Sequence, residues 1–226
     1  LKTLPETSNV QNKNQLKFAA IPETKTTKIS TKQVTRKQKS PSLLFASGQY
    51  GQAIDLININ LKLNTDNHKL IFLKGRSQLM LNQYEKATST FLNALTIKMD
   101  SDYLNGLGYA YSKLKQLDKA LAAYNKAISI NNKNSYAYFN SGLLLENKGN
   151  KKRAADYFYS AGTSSLLNKD FLKANNAHDA LQRLSKGESA ILEKSNKLGN
   201  LIEELTDDKD NDFKIIKVNT KGDKIG

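Results

Sequence analysis

The 226-residue chain has no cysteine, which excludes disulfides and thiolate metal sites. It has two histidines, His68 and His178, and they do not form the paired-histidine motif that holds zinc. No apolar run approaches the roughly 18 residues of a membrane-spanning helix. Acidic side chains are in deficit, 21 Asp and Glu against 35 Lys and Arg, for a net charge of +14. Catalytic motifs are also missing or incomplete. Gly187-Glu188-Ser189 opens like a nucleophile elbow, but Ile191 stands where the closing glycine belongs and no strand precedes it, so a helix start is the better reading. Gly106 and Gly108 form Gly-x-Gly without the third glycine of a phosphate cradle. Asp208, Asp210 and Asp212 have the one-three-five spacing of a calcium loop. Phe213 sits in place of its turn glycine and Asn219 in place of its bidentate glutamate, so a solvated acidic linker is the plainer account. Nothing brings a nucleophile, a base and an oxyanion donor together. The expectation is a non-enzymatic chain with no cofactor and no metal.

What the chain does have is a lattice. Gly75, Gly108 and Gly142 recur at nearly equal intervals, and each is followed by an alanine at the same offset: Ala87, Ala120 and Ala154. Past those alanines come Phe91, Tyr124 and Phe158, then Ala94, Ala127 and Ala161. A period of about 34 with this internal order signals helix-turn-helix repeats. Small residues let two helix backbones approach, and the large ones fill the space beside the contact. These positions are therefore read as structural.

On these residues the chain resembles the tetratricopeptide repeat (TPR) family over roughly residues 41–162. The family's large residue at repeat position 4 corresponds to Ile71, Leu104 and Tyr138, and Ala53 and Ile57 extend the pattern into a truncated first repeat. Asn60 and Gln78 depart from it, and Thr65, Met99 and Asn132 replace the customary proline. The resemblance implies an all-α, TPR-type helix-turn-helix solenoid, a right-handed superhelix, closed by a C-terminal capping helix pair.

The organisation expected is a basic arm or tether at 1–40, a solenoid at 41–168, a degenerate fifth repeat or cap at 169–205, and a flexible charged tail at 206–226. The arm carries nine cations against Glu6 and Glu23, half the net charge in under a fifth of the chain. It has too little apolar content to offset its own ordering entropy and reads as disordered. Pro41 and Ser42 are expected to open a short helix over 43–47 that Gly48 ends, with a second helix over 50–63 and full repeats over 68–100, 101–134 and 135–168. Lys115-Gln116 and Gly149-Asn150 supply turns inside the repeats. Phe171, Ala174, Ala177, Leu181 and Leu184 share one helix face, and Ile191, Leu192, Leu198, Leu201, Ile202 and Leu205 share another, with Gly187 between. The apolar stretch 213–218 could add as a strand to a partner sheet, or be disordered.

By the same resemblance, positions 2, 5, 9 and 12 of each repeat face a concave groove: Lys69, Phe72, Arg76 and Leu79, then Asp102, Asn105, Tyr109 and Ser112, then Tyr136, Phe139, Leu143 and Glu146. Aromatic and aliphatic side chains there are expected to hold an extended or helical segment of a protein partner, and to be dispensable for folding. The family's carboxylate clamp is present only in scattered pieces, because its positions hold Phe72 and Arg76, Asn105 and Tyr109, and Phe139 and Leu143. The expected function is an interaction scaffold that helps assemble a multiprotein complex. The first residue is Leu1, which suits either a trimmed boundary or removal of a signal segment ahead of a lipid-anchored tether. In the second case the chain would be similar to the bacterial envelope TPR lipoproteins that build pili and secretion channels, including the tight-adherence type; a cytoplasmic location fits the first. The alternative function is attraction of the basic arm to an anionic polymer or membrane surface. The arm's one aromatic, Phe18, argues against a specific nucleic-acid reader.

Overall fold

The computed structural model describes residues 40–207 together with 217–218 and 224–225. Ten helices follow in order: α1 (Pro41–Ala46), α2 (Tyr50–Leu63), α3 (His68–Met80), α4 (Tyr84–Ile97), α5 (Ser101–Lys113), α6 (Leu117–Ile130), α7 (Ser135–Asn147), α8 (Lys151–Leu167), α9 (Phe171–Leu184) and α10 (Ser189–Asp207). Each helix packs on its chain neighbours, and α3, α5 and α7 also pack side by side. This is the all-helical solenoid that the lattice implies.

The ends of the helices follow local chemistry. Asn67, Asn134 and Asp170 each accept the backbone N–H three residues on, at Leu70, Ala137 and Lys173, and Asp100 accepts from Asp102. These bonds satisfy donors that a helix start would leave open. The opposite ends of α1, α3, α5 and α7 close alike. Gln49, Gln83, Gln116 and Asn150 donate to the carbonyls of Leu44, Gln78, Tyr111 and Leu145, five residues back. The residue before each has positive φ: Gly48, Asn82, Lys115 and Gly149. That is the Schellman closure. It confirms the closures expected at Gly48, Lys115-Gln116 and Gly149-Asn150 and adds a fourth, where Asn82 takes the positive φ. The first helix starts at Pro41, as expected of its opening residues, and Ser40 Oγ caps it by accepting the Leu43 N–H at 3.1 Å.

The lattice becomes a set of ring-to-glycine contacts. Phe91, Tyr124 and Phe158 are at most 1% exposed. A Cβ on Gly75 would lie 2.6 Å from the Phe91 ring, one on Gly108 2.6 Å from the Tyr124 ring, and one on Gly142 2.8 Å from the Phe158 ring. The Phe91 ring also leaves no room for a Cβ on Gly106 of the next repeat, at 2.8 Å. Both glycines of the Gly-x-Gly pair are thus occupied by packing.

The C-terminal pair departs from the pattern. The helix α8 is 17 residues long where α4 and α6 have 14. It ends in the Schellman closure used elsewhere by first helices, with Lys169 at φ 55° and Asp170 N–H donating to the Ser165 carbonyl. Leu198 of α10 fills the space beside Gly162 of α8. Between α9 and α10 the small-large order is reversed: the ring of His178, on the first helix, lies 3.1 Å from where Gly199, on the second, would place a Cβ. Of the apolar positions expected to share the α10 face, Leu192 does not belong, being 47% exposed. The buried stripe runs through Ile191, Ser195, Leu198 and Ile202, and Leu192 is one residue off it.

Lys217–Val218 and Lys224–Ile225 pair as two short antiparallel strands, so this part of the expected flexible tail finds a partner within the chain. The expected basic arm, apart from residue 40, and the acidic triad at 208, 210 and 212 lie outside the described residues.

Two glycine substitutions should move stability in opposite directions. Gly51→Ala in α2 meets nothing within 4 Å and should gain up to about 1 kcal/mol from helix propensity. Gly75→Ala has the same propensity gain but drives a methyl into the Phe91 ring, an overpacking cost of about 1–3 kcal/mol. Thermal unfolding should show Gly51→Ala melting above and Gly75→Ala below the parent; equal shifts would contradict the packing assigned to the lattice.

Candidate functional site

The first helices of successive repeats form one continuous row, joined by side chains one repeat apart. His68 Nδ1 lies 2.6 Å from the Tyr103 hydroxyl, linking α3 to α5. Asn140 Nδ2 donates to Asn105 Oδ1 at 3.0 Å, linking α7 to α5. Lys173 stands 4.4 Å from the Tyr136 ring centroid, and Arg183 grips Glu146 with two bonds of 2.8 and 3.1 Å, so α9 runs parallel to α7 as a fifth first helix. Such a surface pair is worth at most about 1 kcal/mol, and its main effect is to fix register. Between repeats three and four, Asn134 is shared. It caps α7 and donates to Ser101 Oγ at 2.6 Å and Asp102 Oδ1 at 3.2 Å, while Ser101 Oγ donates to the Ala127 carbonyl.

At the N-terminal end of the row, the Arg76 guanidinium lies 4.4 Å from the centroid of Phe45, on α1, and 5.8 Å from that of Phe72. Phe72 in turn stacks on Tyr103 at 4.5 Å. Cation and rings make a ladder across three repeats, each rung worth about 0.5–1.5 kcal/mol.

Of the twelve residues expected to face the groove, Lys69 is exposed, and nine are half-buried: Phe72, Arg76, Asp102, Tyr109, Ser112, Tyr136, Phe139, Leu143 and Glu146. The other two, Leu79 and Asn105, are 4% exposed and offer little to a ligand. Ser77, Gln78 and Leu79 are buried in succession near the end of α3, and the Asn140 amide is set against Asn105. Phe139 is not dispensable for folding either: its ring lies 5.3 Å from that of Phe158 and packs on the C-terminal core. Phe45, Tyr103, Asn140, Lys173 and Arg183 join the row without having been expected there. Their partners are one repeat away, at spacings lengthened for α9 by the longer α8.

The row is electrically mixed. Burial and the neighbouring Asp100 push the Asp102 carboxyl above its ordinary value, against the opposite pull of Arg76 and Asn134. Burial alone would lower the Lys173 ammonium, but hydrogen bonds to Asp170 and Tyr136 outweigh it and raise it. Burial pushes the Tyr109 and Tyr136 hydroxyls up, and that of Tyr103 up to about 12. No three His, Asp or Glu side chains gather to hold a metal ion among the described residues.

Comparison with known proteins agrees with this architecture. Residues 101–134, the third repeat, match the family model of the tetratricopeptide repeat. The chain is similar to the TPR repeat-containing protein MJ1428 of Methanocaldococcus jannaschii, 28% identical over 48% of this chain and 19% of that one. It is also similar to the BBSome complex member BBS4 of Bos taurus, 30% identical over 50% of this chain and 22% of that one. The chain thus spans about a fifth of the length of these curated relatives. Among solved structures, MamA from Desulfovibrio magneticus RS-1 superposes with a TM-score of 0.57 at 14% identity, over 76% of this chain and 93% of that one. The thermophilic TPR protein TTC0263 of Thermus thermophilus gives 0.51 at 17%, over 71% and 94%. The fold is a TPR-type solenoid.

The buried tyrosines make an alkaline limit. A phenol whose pKa is raised on folding is neutral in both states below pH 10, so it costs nothing there. Above pH 10 the unfolded chain ionises first, and each such tyrosine weakens the fold by about 1.4 kcal/mol per pH unit until its folded pKa is reached. Helicity should therefore be lost in one step between about pH 10 and 12, together with a rise in phenolate absorbance. Gradual ionisation with helicity intact would show that Tyr103 and its neighbours are accessible.

Proposed function

We propose that the row of first helices binds a segment of a partner protein and that the chain is a non-enzymatic interaction scaffold. One observation carries this reading: Tyr109 and Tyr136 lie on adjacent first helices and belong to none of the ring-to-glycine contacts that hold the repeats together. They are only half-buried, and cations stand over their rings, Lys113 at 5.2 Å and Lys173 at 4.4 Å. An amphipathic partner segment suits such a surface: apolar anchors against the rings and Leu143, and carboxylates toward Lys69, Lys113 and Lys173. The repeat match at 101–134 supports the same class of function. Assembly of a pilus or secretion machine at a bacterial envelope is a finer part of the proposal, supported by the asparagine- and lysine-rich composition and by the basic stretch ahead of the first repeat.

The test uses a double variant, Tyr109→Ala with Tyr136→Ala, since Phe139 serves the core as well. Partners captured from the native source by the full chain in high salt should bind the variant about tenfold or more weakly, as loss of two interface anchors implies. Its helicity and melting should stay close to the parent. Undiminished capture by the folded variant would refute the row as the binding surface.

A further inference from the structure

The described body carries its excess charge in one place. Residues 41–207 hold 21 Lys and Arg against 15 Asp and Glu, a net of +6. The turns inside repeats three and four and the turn between α9 and α10 lie along one edge. Lys148 Nζ reaches Asp118 at 2.7 Å, joining the turn of repeat three to that of repeat four. A shallow depression lined by Lys148, Gly149, Asn150, Lys151, Lys152 and Glu188 joins repeat four to the start of α10. Lys113, Lys115 and Lys119 flank the first of these turns, Arg153 extends the second and Lys186 stands at the third; all are exposed. Eight cations face two anions, Asp118 and Glu188, so this edge alone accounts for the net +6.

The placement works against the helices. Anions are favoured in the first turn of a helix and cations disfavoured. The helices α4 and α6 obey this with Glu85 and Asp118, whereas α8 opens with Lys151, Lys152 and Arg153 and has no acid in its first turn. The helices α2 and α10 also lack an acid in the first turn, but among the described helices α8 alone opens on three consecutive cations, a local cost that points to a functional demand.

We propose that this edge docks onto an anionic bilayer surface. The ends of adjacent helices present a broad face with charge spread over three turns, which meets a sheet of headgroups more readily than a narrow groove would. Seven of the eight cations are lysines, point charges without the planar fork that reads phosphates in fixed geometry. Of the eight cations Lys113 also serves the segment-binding row, and the edge variant below leaves it in place, so the two surfaces can fail separately.

The full chain would be sedimented with phosphatidylcholine vesicles with and without phosphatidylserine. Variants would be Lys151→Glu, Lys152→Glu and Arg153→Glu combined, and a control of equal charge change elsewhere, Lys62→Glu, Lys126→Glu and Lys133→Glu. Binding should require phosphatidylserine, fade with salt, and fall about tenfold or more in the edge variant but much less in the control. The edge variant should also melt above the parent, since it restores acids to the first turn of α8. Equal losses in both variants would reduce the effect to net charge and overturn the proposal. So would binding that ignores phosphatidylserine, a lowered melting point in the edge variant, or edge dependence seen with duplex DNA but not with vesicles.

Discussion

An aromatic ring seated where a glycine has no side chain is the contact on which the rest of this structure depends. Phe91 over Gly75, Tyr124 over Gly108 and Phe158 over Gly142 set how closely two helices of a repeat approach. Phe91 against Gly106 then sets how one repeat meets the next. Once those distances are fixed, the period of the sequence decides which exposed side chains meet. His68 reaches Tyr103, Asn140 reaches Asn105 and Lys173 reaches Tyr136 because each pair lies one repeat apart on parallel helices. The inner row is therefore a product of the core and has no separate frame of its own.

The repeats, their helices and most turns were legible in the sequence because they rest on local rules: small and large residues at fixed offsets, Asn or Asp before a helix, a residue tolerant of positive φ after one. Features that depend on register between repeats were less legible. Phe45 sits on Arg76 because α1 is short and its one ring reaches the neighbouring first helix. Lys173 and Arg183 were hidden because α8 is longer than its counterparts, which stretches the spacing by which a fifth repeat would be recognised. Position rules borrowed from a regular repeat failed at Leu79 and Asn105, where a run of three buried residues and a neighbouring side-chain amide leave little surface. Phe139 shows that facing the row and serving the core are not exclusive.

Two surfaces of different chemistry result. The row of first helices combines rings with a few cations and carboxylates, many already engaged with one another, so binding there must exchange existing contacts for better ones. That favours selectivity over raw strength, because a segment lacking apolar anchors leaves the Arg76 and Lys173 stacks undisturbed. The lysine edge makes few internal contacts and has little geometric preference. It would respond to charge density and salt more than to sequence. Tyr109, with Lys113 above it, marks the boundary between the two.

The reversed pairing of His178 over Gly199 has a consequence for how such a chain can change length. Every unit from Gly75 to Phe158 presents the same order to its successor, so a copied unit could be spliced between two others and find matching surfaces on both sides. After α10 it could not, because the order has been inverted and Leu198 has taken the space beside Gly162. The last helix pair acts as a stop: enlargement or shortening of the array has to occur inside it, and the lysine edge would lengthen or shrink with the number of units while the terminus stayed the same.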